Sequence, residues 1–132
     1  MAPGTLKRLA ARLRPGGSGE ELACRHLRAQ GYAILARNFR CRSGEVDVVA
    51  EKEGTTVFVE VKERNGTSHG AGFEAVTYGK RRRLLRAARL YAASRGLWER
   101  PLRFDVISVD WHDGSPRLRH DVGAFAAEGG WG

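Results

Sequence analysis

Asp47, Glu60 and Lys62 have the types and spacing that could cut a phosphodiester. Asp47 lies in EVDVVAEK, and Glu60 and Lys62 lie in the next segment, TTVFVEVK. Both segments alternate polar and apolar residues, and residues two apart on a strand face the same way, roughly 6.6 Å along it. Glu60 and Lys62 therefore share a face with Phe58, while Val57, Val59 and Val61 fill the other. In the preceding strand Glu45 and Asp47 share one face, and Val46, Val48 and Ala50 are expected on the opposite one. Glu53-Gly54 reads as the link of a hairpin whose pairing sets Asp47 beside Glu60. Carboxylates among valines cost free energy unless they are paired or bound to a cation. The bland alternative is a salt bridge on the wet face of an edge strand. Phe58, on the face of Glu60 and Lys62, argues against it.

Helix geometry adds a third carboxylate. At about 100° per residue, Glu20 falls on the side of Ala23, Cys24 and Leu27, the side that packs on a sheet. Three converging carboxylates suit a hard divalent cation, Mg2+ or Mn2+, held by oxygen ligands. The metal would polarise a phosphate and make a bound water more acidic, and Lys62 would orient that water or stabilise the charge that builds on phosphorus.

These residues need a scaffold. Ser18 and Glu21 have the spacing of a capping box, so a first helix starts at Ser18 and stops at Gly31. YAILARNFR, EVDVVAEK and TTVFVEVK read as three strands, and NGTSHGAGF as a Gly-rich loop. A long helix is expected from about Tyr78 to Ser94, between Thr77 and Gly96. RFDVISVD follows as a strand, with RLRHDV as a candidate edge strand. The order α-β-β-β-α-β indicates an α/β fold, a mixed sheet flanked by helices in one domain. That domain is expected over residues 18–122, between a basic tail at 1–17 and a C-terminal tail at 123–132.

The net charge of +8 and pI near 10.3 favour an acidic partner, nucleic acid first. Placement is more informative than the total. No acidic residue interrupts the stretch between Glu74 and Glu99, and Arg82, Arg86 and Arg89 form one basic stripe on the long helix, opposite Leu84, Leu85, Ala88, Tyr91 and Ala92. Lys80 lies at the azimuth of Leu84 and Tyr91, pointing inward near the helix start, where it either reaches a phosphate in the site or snorkels to solvent.

Other chemistries find little support. Cys24 and Cys41 are no disulfide framework, and Cys24-x-His26 lacks the second pair that a zinc site needs. His69 in the Gly-rich loop reads as solvated, and His26, His112 and His120 have no partner at metal-ligand or triad spacing. Asp105 reads as a cap or a pairing residue within the sheet. No apolar run approaches the ~20 residues of a membrane span, and the N-terminus lacks the apolar core of a secretory signal, so the expected location is the cytoplasm.

With these residues in hand, the chain resembles the YraN family of uncharacterised bacterial proteins, which looks like a branch of the PD-(D/E)xK, or restriction-endonuclease-like, nuclease superfamily near the Holliday-junction resolvases. The matching segments are GEELACRHLRAQGY, LARNFRCRSGEVDVVA, VFVEVKERNG, GFEAVTYGKRRRLLRAA and RFDVISV, from about Gly19 to Val109. The resemblance implies an αβββαβ core, metal ligands at Asp47 and Glu60, a catalytic Lys62, and Glu20 contributed by the first helix. Val46 stands where the superfamily's name has proline, and Glu63 adds a carboxylate on the opposite face. The expected function is a Mg2+-dependent endonuclease acting on DNA, branched DNA included, in repair or recombination. The alternative is a non-catalytic nucleic-acid-binding module. Relatives that cut symmetrically act as homodimers, and apolar residues beyond Leu97 could serve that purpose here.

Overall fold

Ser18 starts the first helix: its hydroxyl accepts the Glu21 backbone N–H at 3.1 Å, filling one of the donors that a helix start leaves open. The computed structural model describes residues 18–65 and 78–125. The basic tail, the Gly-rich loop with His69, Thr77 and the residues after Phe125 lie outside them. Helix α1 (Gly19–Ala29) ends before Gly31, whose φ of 92° suits a glycine stop. Strands β1 (Ala33–Cys41), β2 (Gly44–Lys52) and β3 (Thr55–Asn65) follow as an antiparallel meander. Helix α2 (Tyr78–Ser94) then precedes β4 (Leu102–His112), which pairs with β3 in parallel, and β5 (Ser115–Phe125) closes the sheet antiparallel to β4. The spatial order is β1-β2-β3-β4-β5. This is the mixed α/β sheet of a restriction-endonuclease-like core.

The strand carrying Glu60 and Lys62 is therefore the central one and not an edge strand. Its two faces enter two cores. Val57 and Val59 pack with Ala23, Cys24 and Leu27 of α1 and with Ile107, Val109 and Trp111 of β4. Phe58 packs with Leu84, Ala88 and Tyr91 of α2 and with Phe104. The helices thus cover opposite faces, which is why β3 is apolar on both sides except near its outgoing end.

Two expectations are corrected. Val46 does not share a face with Val48 and Ala50. It packs under α2 with Val49 and Phe58, whereas Val48 and Ala50 face α1. Strict alternation therefore breaks at Asp47, opposite a stretch of β1 in which Asn38 adopts φ 53°. The last strand also runs further than RLRHDV, to Phe125, whose ring stacks on Phe104 with centroids 5.2 Å apart. Gly123 at φ 61° and a register shift against β4 let it do so, and alternation patterns register neither. Among the described residues, no helix is long and apolar enough to cross a membrane.

Candidate functional site

The break at Asp47 builds the site. Regular pairing of β2 with β3 runs from Lys52–Thr55 to Val48–Val59 and goes no further. Beyond that point the Val61 N–H donates to Asp47 Oδ2 at 2.8 Å, so a side chain takes over from the backbone ladder. Glu60, one residue earlier on β3, brings its carboxyl against that of Asp47, and the two are electrostatically linked. Burial pushes the Asp47 carboxyl up to about 6, against the pull of the Val61 N–H and with the help of the Glu20 and Glu45 charges. Burial and the neighbouring Asp47 push Glu60 up to about 8, against the positive charge of Lys80. Near neutral pH the two carboxyls hold one proton between them.

They open onto a cleft of about 460 Å³, lined among others by Glu45, Asp47, Glu60, Lys62, Lys80 and Arg83. Lys62 and Lys80 are thus brought together with the acidic pair. Lys80 arrives from the first turn of α2 and is exposed there at the edge of the cleft. Glu45 and Arg83 also line the cleft, and spacing alone assigned neither a site role. Glu45 follows from the strand pairing, and its carboxylate also meets Arg40 at 3.1 Å. Arg83 follows from Gly44, where a Cβ would come within 1.9 Å of the Arg83 carbonyl oxygen. The helix presses directly on the backbone of the β1–β2 turn, and only glycine permits it. A glycine just ahead of the acidic strand was the available signal.

Glu20 does not line the cleft. Its Oε1 accepts from Asn38 Nδ2 at 2.8 Å and Arg37 Nε at 3.2 Å, because the left-handed turn at Asn38 brings these side chains over the start of α1. It acts on Asp47 through its charge alone. Glu63, the further carboxylate, also borders the cleft, and its Oε2 accepts the Gly19 N–H at 3.0 Å and the Trp111 indole N–H at 2.7 Å. Arg82, Arg86 and Arg89 are exposed along the side of α2 that faces away from the sheet.

Asp105 pairs within the sheet as expected, in a second polar cluster under α1 whose long-range members were not legible in the sequence. Asp105, with no solvent exposure, takes two bonds from Arg103 at 2.8 Å, one from Gly123 N–H at 3.0 Å and one from His120 Nε2 at 2.7 Å. His120 Nδ1 in turn meets His26 Nε2 at 3.0 Å, and Arg103 also donates to the Tyr32 hydroxyl at 2.6 Å. Burial alone would raise the Asp105 carboxyl, but these donors hold it down at about 2. Burial and the adjacent His120 depress His26. The two histidines are thus each other's partners across the fold, and Cys24 is simply packed in the α1 core.

The Asp47–Glu60 pair fits a divalent cation. Its donors are hard oxygens, and burial makes two negative charges there costly, so a cation replacing the shared proton relieves both. Among the described residues no three His, Cys, Asp or Glu side chains converge on one point, so the remaining ligands would come from water, backbone or substrate.

The model for the "Uncharacterised protein family UPF0102" matches residues 19–109. The chain is similar to a UPF0102 protein of Symbiobacterium thermophilum, 50% identical over 115 residues that cover 86% of this chain and 98% of the relative. It is similar to a UPF0102 protein of Pseudomonas aeruginosa, 45% identical over 115 residues, 85% of this chain and 92% of the relative. A UPF0102 protein of Nocardia farcinica is 50% identical over 111 residues, 83% of this chain and 87% of the relative.

Proposed function

The chain belongs to the UPF0102 (YraN) family, and from the chemistry of its acidic cleft we propose that it is a metal-dependent endonuclease acting on DNA. The observation that carries this reading is the half-buried Asp47–Glu60 pair in one cleft with Lys62, Lys80 and Arg83. Asp47 and Glu60 would hold Mg2+ or Mn2+, which supplies Lewis acidity toward a phosphodiester oxygen. Lys62 follows Glu60 on the same strand face and would orient the attacking water or offset charge on the phosphate. Lys80 and Arg83, from α2, would hold the phosphate from the other side. Water oxygen bonds to phosphorus, one P–O ester bond breaks, and the leaving oxygen takes up a proton. The exposed Arg82, Arg86 and Arg89 extend the positive surface away from the cleft for adjoining phosphates.

The test is cleavage by the purified protein of labelled duplex, single strand, flap and four-way junction, with Mg2+, with Mn2+ and with chelator. Cutting of at least one substrate that the chelator stops is the expected result. Binding without cutting in every metal would leave a nucleic-acid-binding module in place of an enzyme.

A further inference from the structure

Tyr78 is an anomaly on the basic helix. It is 62% exposed, whereas Tyr91 on the same helix is 3% exposed and packs edge-on against Phe39 and Phe58. The Arg82 guanidinium lies 5.7 Å from the Tyr78 ring centroid, one turn along. At about 100° per residue, Tyr78, Arg82, Arg86 and Arg89 fall within one stripe roughly 80° wide. The ring stands at the start of α2, two residues ahead of Lys80, which lines the cleft. By the same rule Lys80 lies about 160° further around the helix, so the ring and the arginines form a track along the outer face of α2 and not a wall of the cleft.

Phosphates account for the arginines but not for an exposed ring among them. A continuous duplex presents phosphates to its surroundings and keeps its base faces stacked on one another. An unpaired strand presents both, and aromatic rings interleaved with cations are the usual platform for it. From this juxtaposition we propose that Tyr78, backed by Arg82, stacks an unpaired base of the substrate, so that the ligand class is DNA with a single-stranded stretch lying along the outer face of α2. This inference rests on the endonuclease reading above and names the substrate of that same site.

The experiment is anisotropy titration, in chelator to prevent cutting, of one labelled mixed-sequence oligonucleotide as a single strand and as a duplex. Tyr78→Ala is expected to weaken single-strand binding about tenfold while changing duplex binding less than about twofold, and Tyr78→Trp to retain single-strand affinity. The ring is exposed, so neither variant should disturb folding, and circular dichroism checks this. Equal loss on both ligands, no loss on either, or failure of tryptophan to substitute for tyrosine would overturn the stacking role while leaving the endonuclease reading intact. A wild-type protein that binds neither ligand would overturn both.

Discussion

In metal-free buffer the protein is expected to lose stability as pH rises from about 4 to about 8, and Mn2+ is expected to restore it at the upper end. The sign follows from the acidic pair. Burial raises Asp47 to about 6 and Glu60 to about 8, so the folded state binds more protons than the unfolded chain across that window. The stability this contributes is complete below about pH 4 and is lost as pH climbs through the folded-state values. The loss is of the order of a few kcal/mol. Divalent metal binding the folded carboxylates opposes it through linkage, by an amount that grows with metal concentration. Glu60→Gln removes one charge of the pair. The variant should therefore be as stable as wild type or more so without metal at pH 8, with a flatter pH profile and a much smaller Mn2+ response. Urea unfolding at pH 5 and pH 8, with and without millimolar Mn2+, checks all of this. A wild type indifferent to both pH and Mn2+ would remove the ground for placing a cation there.

The second large effect lies away from the cleft. Asp105→Ala is expected to cost about 3–5 kcal/mol, because it strands a partly buried guanidinium and leaves His120 and the Gly123 N–H without their acceptor. Arg103 would keep only Tyr32 among the partners described above, and His120 would face His26 with nothing fixing its tautomer. Here the pH sign is reversed. Asp105 is held below its ordinary value, at about 2, so its stabilisation is complete above about pH 4 and is lost as pH falls toward 2. Wild type and variant should therefore differ most near neutrality and converge in acid. Urea midpoints at pH 7 and pH 2.5 measure the convergence. A cost below about 1 kcal/mol at pH 7 would mean that the Asp105 network contributes little.

Much of the framework was legible because apolar periodicity carried it. The valines of β3, Val48 and Ala50 of β2, the Ser18 cap and the Leu84–Tyr91 face of α2 all fell where pattern put them. Pattern failed where the backbone departs from regularity. Val46 changed faces because alternation breaks at Asp47 opposite the left-handed Asn38, and that same break frees the Val61 N–H that Asp47 accepts. A rule of strict alternation brought Asp47 near Glu60 but missed the irregularity that places it there. Glu20 was correctly set at the sheet-facing start of α1, yet Arg37 and Asn38 take up its carboxylate, and helix azimuth cannot foresee contacts made by the next strand. The Asp105–His120–His26 chain joins residues far apart in sequence, so no local spacing announces it. Arg83 entered the cleft through a close backbone approach at Gly44, a signal visible only once a glycine is asked what a side chain there would strike.

The central claim is that Asp47, Glu60 and Lys62 form one phosphodiester-cutting site, and single-turnover cleavage by three proteins purified in parallel tests it most directly. Wild type, Asp47→Asn and Lys62→Ala would be compared on the substrate that wild type cuts best, in Mg2+ and in Mn2+, with Mn2+ binding followed by calorimetry on each. The account predicts that Asp47→Asn loses Mn2+ binding and cleavage together, whereas Lys62→Ala loses at least a hundredfold in rate, on the order of 3 kcal/mol in barrier, and still binds Mn2+. Cleavage by Asp47→Asn at the wild-type rate would contradict it, because the activity would then belong to another site or another protein.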